Sequence, residues 1–296
     1  MTTYALTLKI HYSFSPPAGG GRQHLRILPA TLPLQQEVRN SRLAIAPSPL
    51  DRRDFTDFFG TKVIEIALAP GLTDFALTLT AEVDRRFPAP GLDVSPAPAD
   101  LAAEIAAHGG LDAASPHHFL PPSPRIPQNA AIADFARHAT AGAPTVRAAV
   151  AALGQALHAD MAFDSAATDV DTGPDRAFAQ RRGVCQDFAQ IMIAGLRALG
   201  IPAAYVSGYL RTAPPPGQSR LVGADAMHAW VQAWTGLDGG WLDYDPTNAC
   251  LAGDGHIRIG FGRDYGDVAP VAGMLRLGGG QTGGHSVDLV EIARST

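Results

Sequence analysis

Lysine, cysteine and long apolar runs are all scarce in this 296-residue chain. Its only lysines are Lys9 and Lys62, so arginine supplies almost all of the positive charge, and the net charge at pH 7 is −5. A net negative charge argues against a protein that binds nucleic acids or other polyanions. No apolar run reaches the roughly 18 residues of a membrane-spanning helix, so we expect no membrane segment.

The two cysteines, Cys185 and Cys250, make no disulfide framework, although a single bridge between them stays open as an alternative. The segment from Met1 to Ile10 does not combine a basic stretch with an apolar core, so the sequence predicts no secretory signal peptide. From these two observations we expect a cytoplasmic protein.

Apolar and polar residues alternate in the first part of the chain. Every second residue from Tyr4 to Phe14 is apolar, which predicts a half-buried strand. Shorter alternating stretches follow around residues 25–27, 43–45, 64–68 and 75–83, whereas the polar stretch 51–60 indicates a turn. Several short strands separated by proline and glycine are typical of a β-sandwich. We therefore predict an N-terminal β-sandwich domain over residues 1–87.

Proline becomes frequent in the middle of the chain. Residues 88–127 contain nine prolines, which predicts a Pro/Ala-rich linker interrupted by one short helix over Ala99–His108. The neighbouring His117 and His118 point apart and have no partner ligands at a suitable spacing, so we expect no metal site there. Residues 128–296 form the second predicted domain, which ends in a glycine-rich segment.

Cys185 stands where a helix should begin. After Cys185, apolar residues recur at helical spacing and form one apolar face: Phe188, Met192, Leu196 and Leu199. A cysteine at a helix N-terminus lies beside unpaired backbone N–H groups and the positive end of the helix dipole, and both favour the thiolate. The sequence therefore makes Cys185 a candidate nucleophile.

Two predicted strands downstream carry a histidine and an aspartate. His228 lies in the first of them, Ala226–Val231, and Asp245 lies near the end of the second. Together with Cys185 they would supply a nucleophile, a base and an orienting carboxylate in order along the chain. Asp243 shares a strand face with Asp245, so from the residues alone either aspartate could reach the imidazole.

Five short segments resemble the bacterial transglutaminase-like superfamily, whose members are often described as cysteine proteases. In chain order the segments are Arg182–Ala189, Leu199–Ala203, Tyr205–Leu210, His228–Val231 and Asp245–Asn248. The strand-rich first part of the chain is similar to the N-terminal β domain of the same family. The tail from Gly262 to Pro270 is similar to its C-terminal segment.

The resemblance implies an α+β fold, in which an N-terminal β-sandwich is followed by a papain-like, transglutaminase-like core. In that core the helix that bears the nucleophile packs on an antiparallel β-sheet. The resemblance also implies that Cys185 is the nucleophile, His228 the general base and acid, and Asp245 the carboxylate that orients the histidine, and it implies no metal ion or organic cofactor. Three positions depart from the family pattern and bear on the substrate pocket: Gln190, Ala204 and Gln232.

These features predict an enzyme that acts on the amide or peptide bonds of a protein or peptide substrate through a thioester intermediate. We favour hydrolysis over transfer to an amine, because transfer requires a site that excludes water. The alternative from another class is a catalytically inactive binding module that retains the fold. Neither a nucleic acid nor a membrane is an expected partner.

Overall fold

The computed structural model describes residues 1–87, 91–212, 223 and 225–293. Its helices are α1 (Leu101–Ala107), α2 (Ala130–Ala139), α3 (Val146–Asp160), α4 (Pro174–Gln180), α5 (Cys185–Ala198) and α6 (Tyr265–Val268). Its strands are β1 (Thr2–Ala18), β2 (Gly21–Leu25), β3 (Gln36–Ala46), β4 (Asp51–Thr56), β5 (Lys62–Leu68), β6 (Leu72–Arg85), β7 (Ala162–Phe163), β8 (Arg182–Gly183), β9 (Ala203–Leu210), β10 (Ala226–Trp234), β11 (Trp241–Asp245), β12 (Cys250–Leu251), β13 (His256–Gly262), β14 (Val271–Leu275) and β15 (Gly280–Ile292). Within the described ranges, no helix is long and apolar enough to cross a membrane.

Two packed sheets form the N-terminal part. One has the strand order β15-β1-β6-β3 and the other the order β14-β2-β5-β4. Apolar side chains of both sheets share one core, which includes Leu6, Leu8, Leu25, Ile66, Leu77 and Leu79. The β-sandwich predicted from the alternating pattern is confirmed.

The last two strands of the chain complete this sandwich. β15 pairs with β1 from Thr3↔Ile292 to Ser15↔Gly280, and β14 pairs with β2. Without these partners β1 and β2 would be sheet edges with unpaired N–H and C=O groups. The domain boundaries stay a prediction. The predicted boundaries assign β14 and β15 to the second domain, but both strands pair with strands of the first domain.

The turn predicted over residues 51–60 is wrong for its first half, which forms β4. This strand pairs with β5 from Asp51↔Ala67 to Thr56↔Lys62 and lies at the edge of its sheet. Its first four residues are all exposed and charged. Charged side chains protect an edge strand against further pairing, and for that reason the apolar alternation that marks the other strands is missing here.

A five-stranded sheet in the order β12-β11-β10-β9-β13 forms the second domain, and every pair in it is antiparallel. Helix α5 packs on β10 and β9, and α2, α3 and α4 pack around α5. Because it is enclosed on several sides, α5 is buried from Gln186 to Leu196. This arrangement confirms the expected α+β fold, with a helix on an antiparallel sheet.

The segment predicted as a linker packs against the second domain over its described residues 91–127. Leu101 and Ile105 of α1, together with Ile126, belong to the apolar core of that domain. The indole N–H of Trp241 donates to the carbonyl of Ala114 at 3.0 Å. The short helix expected in this segment is α1.

β13 connects the two domains. The side chain of Gln36 donates to the carbonyls of Ala30 and Arg258 at 2.6 and 2.7 Å, and it accepts the N–H of Arg258 at 2.9 Å. In the neighbouring β9, the hydroxyl of Tyr209 donates to the carbonyl of Ile27 at 2.6 Å. Buried hydrogen bonds therefore connect the first domain to β9 and β13 of the five-stranded sheet.

Candidate active site

Cys185, the predicted nucleophile, is the first residue of α5, and Val184 is the N-cap. The backbone N–H of Val184 donates to Oδ2 of Asp187 at 2.8 Å, and the hydroxyl of Thr168 donates to the same oxygen at 2.6 Å. A Cβ added at Gly183 would lie 2.5 Å from that oxygen, so glycine is required there. These contacts define where the helix begins and so where the sulfur lies.

The first turn of α5 favours negative charge on an oxygen bound beside Cys185. Its backbone N–H is one of the first four of the helix, which have no intrahelical acceptor. The positive end of the helix dipole lies at the same point. The residue is half-buried.

His228, in β10, lies against Asp245, and both Asp245 and Cys185 affect its pKa. Its Nε2 lies 2.8 Å from Oδ2 of Asp245, and because an ionised carboxylate only accepts, Nε2 carries a proton. Nδ1 is then the nitrogen available to interact with Cys185. Burial lowers the pKa of His228, but its hydrogen bonds to Asp245 and Cys185, with the negative charges of both, outweigh burial and raise that pKa well above its usual range.

Asp245 ends β11 and is 0% exposed. Its Oδ1 accepts the backbone N–H groups of Thr247 and Asn248 at 2.9 and 3.2 Å. Besides His228, its Oδ2 accepts the side-chain amide of Asn248 at 2.7 Å and Nε2–H of His256 at 3.1 Å. Burial raises the pKa of Asp245, but the hydrogen bonds from His228, His256 and Asn248 outweigh burial and lower that pKa well below its usual range. The carboxylate is therefore ionised and held in one orientation.

Asp243 has a different partner. Both of its carboxylate oxygens accept from Nη2 of Arg258, at 2.7 and 2.6 Å. Of the two aspartates that the sequence left open, Asp245 is the one that the structure places against His228.

Sequence reasoning missed His256. It is the first residue of β13 and is 5% exposed. In the sheet, β10 and β9 separate β13 from the strand that carries Asp245. No helical or strand spacing links the two residues, so only the tertiary fold reveals the contact.

The ligand atoms of His228, Asp245 and His256 lie within 4.8 Å of one another, and all three residues are buried. Imidazole nitrogens and a carboxylate oxygen are common zinc ligands. Here, however, Oδ2 of Asp245 accepts N–H groups from both rings and from Asn248. The nitrogens that face it carry protons, so the donor set fits a hydrogen-bonded carboxylate better than a metal centre.

Two family models match the chain. The model of the transglutaminase-like superfamily matches residues 133–246, a range that includes Cys185, His228 and Asp245. The model of the bacterial transglutaminase-like N-terminal region matches residues 4–84. An uncharacterized protein of Mycobacterium tuberculosis is 37% identical over 82% of this chain and 78% of its own length. The chain belongs to the transglutaminase-like superfamily.

Two further proteins resemble this transglutaminase-like chain. The crystal structure of a candidate cysteine protease from Cytophaga hutchinsonii matches with a TM-score of 0.77 at 21% identity, over 100% of this chain and 92% of that one. That likeness shows a shared fold. A protein-glutamine gamma-glutamyltransferase of Pseudomonas aeruginosa is 40% identical over 125 residues, which are 41% of this chain and 18% of that protein.

Two of the three departures from the family pattern lie in the interior of the transglutaminase-like core. Gln190 is 1% exposed and Ala204 is 0% exposed, so neither lines a substrate pocket as the sequence suggested. Gln232 is half-buried in β10, in register with Asp243. It is the one of the three that has access to solvent.

Proposed function

We propose that this transglutaminase-like protein is a cysteine enzyme that cleaves amide or peptide bonds of protein or peptide substrates through a thioester on Cys185. One observation supports the proposal: His228 lies 2.8 Å from Asp245, and both Asp245 and Cys185, the first residue of α5, raise its pKa. A nucleophile beside a base, which a third group orients, is the arrangement that covalent acyl transfer requires.

In the first proposed step, the thiolate of Cys185 attacks the carbonyl carbon of the scissile amide. A C–S bond forms, and the π electrons of the carbonyl move to its oxygen. The backbone N–H of Cys185 is the donor that we assign to this oxyanion. When the oxyanion collapses, the C–N bond breaks, and the amine leaves with a proton from the imidazolium of His228.

In the second proposed step, water replaces the amine. His228 takes a proton from the water as its oxygen attacks the thioester carbon. Collapse of the new tetrahedral intermediate breaks the C–S bond, releases a carboxylic acid and returns the thiolate beside the imidazolium. Because Asp245 keeps Nε2 protonated throughout, Nδ1 is the nitrogen that exchanges protons.

Transfer of the acyl group to an amine is the second candidate, which the similarity to the Pseudomonas aeruginosa transferase favours. We place hydrolysis first because Cys185 is only half-buried. A thioester at that depth is accessible to water, which is far more concentrated than any amine.

Selective alkylation tests whether the site is active. The protein is treated with iodoacetamide in mildly acidic buffer, and the labelled cysteines are mapped by mass spectrometry. Partial burial and the charge of Asp245 raise the pKa of Cys250, so that thiol is the internal control. We expect rapid labelling of Cys185 alone. Slow and equal labelling of both thiols would reject the enzyme and favour the binding module.

A second assay identifies the acyl acceptor. A protein substrate with methylated lysines is incubated with a biotinylated primary amine, and Cys185→Ala serves as the control. New N-termini indicate peptide hydrolysis, release of ammonia without biotin indicates side-chain amide hydrolysis, and incorporation of biotin indicates transfer. Biotin incorporation as the dominant reaction would overturn the preference for hydrolysis.

A further inference from the structure

We propose that His256 is a positioning residue of this site, whose neutral ring donates to Asp245 and holds the carboxylate in the orientation that His228 needs. The proposal rests on the proposed function, because it concerns how the same site is kept in working geometry. His256 lies outside the segment that matches the transglutaminase-like core model, which ends at residue 246.

Two hydrogen bonds determine the tautomer of His256. Its Nδ1 lies 3.0 Å from the backbone nitrogen of Gly253, and a backbone N–H can only donate. Nδ1 therefore presents a lone pair, and the proton of the neutral ring is on Nε2. That nitrogen lies 3.1 Å from Oδ2 of Asp245, so it donates to the carboxylate. With a partner on each nitrogen, the ring can neither flip nor change tautomer without losing both bonds.

Trp230 packs against the rings of both histidines, which lie 6.0 Å from each other. Its ring lies 6.4 Å from that of His228 at an interplanar angle of 28°, and 5.2 Å from that of His256 at 81°. Trp230 is 0% exposed, and a Cβ at Gly208 would come within 2.4 Å of its ring. The indole is thus held against β9, and it limits the movement of both imidazoles.

The role of a second histidine follows from the burial of Asp245. A fully buried carboxylate needs several donors to remain ionised, and His256 adds a ring N–H to the donors from His228 and Asn248 on Oδ2. His256 supplies a donor that takes no part in proton exchange with the substrate. It therefore keeps Oδ2 in place while His228 gains and loses its proton on Nδ1.

The turn that holds His256 is itself bound by the N-terminal domain. The carbonyl of Gly253 accepts from Nη2 of Arg85 at 3.2 Å. Arg85 ends β6 and is 4% exposed. The same glycine thus receives a bond from the sandwich and gives one to His256, which links the first domain to the carboxylate of the site.

Two substitutions at His256 separate positioning from packing. In His256→Gln the amide nitrogen takes the place of Nε2 and can still donate to Asp245. In His256→Asn the amide oxygen can accept from Gly253, but the side chain is too short to reach Asp245. We expect His256→Asn to lower both kcat and the rate of Cys185 alkylation about 10- to 100-fold, with little change in KM. This range corresponds to the loss of one hydrogen bond to a charged group. His256→Gln should retain most of the wild-type rate at similar thermal stability.

Two results would overturn the proposal: wild-type rates in His256→Asn, or equal losses in both variants that follow a loss of stability. A readout without activity keeps this test separate from the proposed function. In ¹⁵N NMR of histidine-labelled wild-type protein at neutral pH, His256 should appear as the Nε2–H tautomer, whether or not the enzyme turns over. An Nδ1–H or charged ring would refute the positioning role, whereas failure of Cys185 to alkylate in the wild-type protein would refute the proposed function.

Discussion

At the scale of single residues, the hydrogen bonds of the site converge on Asp245. Two histidines and Asn248 donate to one of its oxygens, and the residue is 0% exposed. Asp243, two positions earlier in the same strand, is bound by Arg258. The two carboxylates have the same chemistry but different partners, so their substitution should have different consequences.

Asp245→Asn should lower turnover by up to about 10⁴-fold, the figure for the equivalent change in a serine protease, because an amide no longer selects the correct histidine tautomer. Asp243→Asn is the matched control. It should change turnover only a few-fold and lower the free energy of unfolding by about 1–3 kcal/mol through its contact with Arg258. Steady-state kinetics and denaturant unfolding measure the two effects. A crippling Asp243→Asn beside a mild Asp245→Asn would reverse the assignment.

Replacement of the two cysteines should also give opposite results. Cys185→Ala should abolish amide cleavage and acyl transfer without changing the thermal unfolding temperature appreciably, because it removes only the nucleophile. Cys250 is exposed and paired in register with Asp245, and Cys250→Ala should be nearly silent in both measurements. Activity that survives in Cys185→Ala would reject the thioester mechanism.

At the scale of the secondary-structure elements, the start of α5 and the β10–β11 pair bring the site together. The helix start depends on Asp187, whose carboxylate receives the N–H of Val184 and the hydroxyl of Thr168. The strand pair depends on register, since it sets His228 beside Asp245. A change in either element should move a reacting group without removing it.

Gly183→Ala should displace Asp187, because the new Cβ would lie 2.5 Å from its Oδ2. Loss of this helix cap should lower the free energy of unfolding by about 0.5–2 kcal/mol and slow the alkylation of Cys185. Gly109→Ala is the control, since a Cβ there meets nothing within 4 Å. Denaturant unfolding and iodoacetamide kinetics give the comparison, and equal effects of the two substitutions would contradict the role of the cap.

The pKa of His228 is higher in the folded protein than in the unfolded chain, so protonation of its ring stabilises the fold. This stabilisation is complete when the pH is below the pKa of an unfolded histidine, about 6.5. It is lost as the pH rises through the pKa of His228 in the folded protein. We expect the NMR signal of the His228 ring to stay that of the imidazolium through neutral pH and to change only in alkaline solution. In Asp245→Asn the same ring should titrate at a lower pH. A wild-type ring that titrates below its ordinary pKa would show that burial outweighs the two partners.

At the scale of the whole molecule, β13 of the second domain is hydrogen-bonded to the first domain. Gln36, from the sandwich, satisfies both the N–H and the carbonyl of Arg258, and the same strand begins with His256. The sandwich is itself completed by β14 and β15 from the end of the chain. The two domains are therefore expected to unfold as one unit.

Gln36→Leu should destabilise the protein and disturb the site together. It removes the acceptor of the Arg258 N–H, whereas the Arg258 carbonyl keeps the N–H of Ala30, and a buried group left unpaired costs about 1–3 kcal/mol. The neighbouring Gln35 is exposed, so Gln35→Leu is the control. Thermal unfolding and Cys185 alkylation test the coupling. Stability lost without any change in alkylation would separate the domains functionally.

The family resemblance in the sequence predicted the α+β fold. The spacing of neighbouring residues predicted the alternating strand at β1 and a helix that begins at Cys185, because this spacing indicates which face is buried. The sequence also singled out His228 through a motif, although the catalytic roles stay predictions. It missed β4, because an exposed edge strand carries charges in place of an apolar alternation.

Spacing alone left Asp243 and Asp245 open, and the family motif indicated Asp245. Only the tertiary structure placed Asp245 against His228 and Asp243 against Arg258, brought His256 to the same carboxylate and paired β15 with β1. Each of these depends on how strands from distant parts of the chain come together, which local pattern does not encode. The clearest case is the contact between Gln36 and Arg258, which are 222 positions apart in sequence. Hydrogen bonds between residues so far apart in sequence form only when both domains are folded, and they align the strand that carries His256.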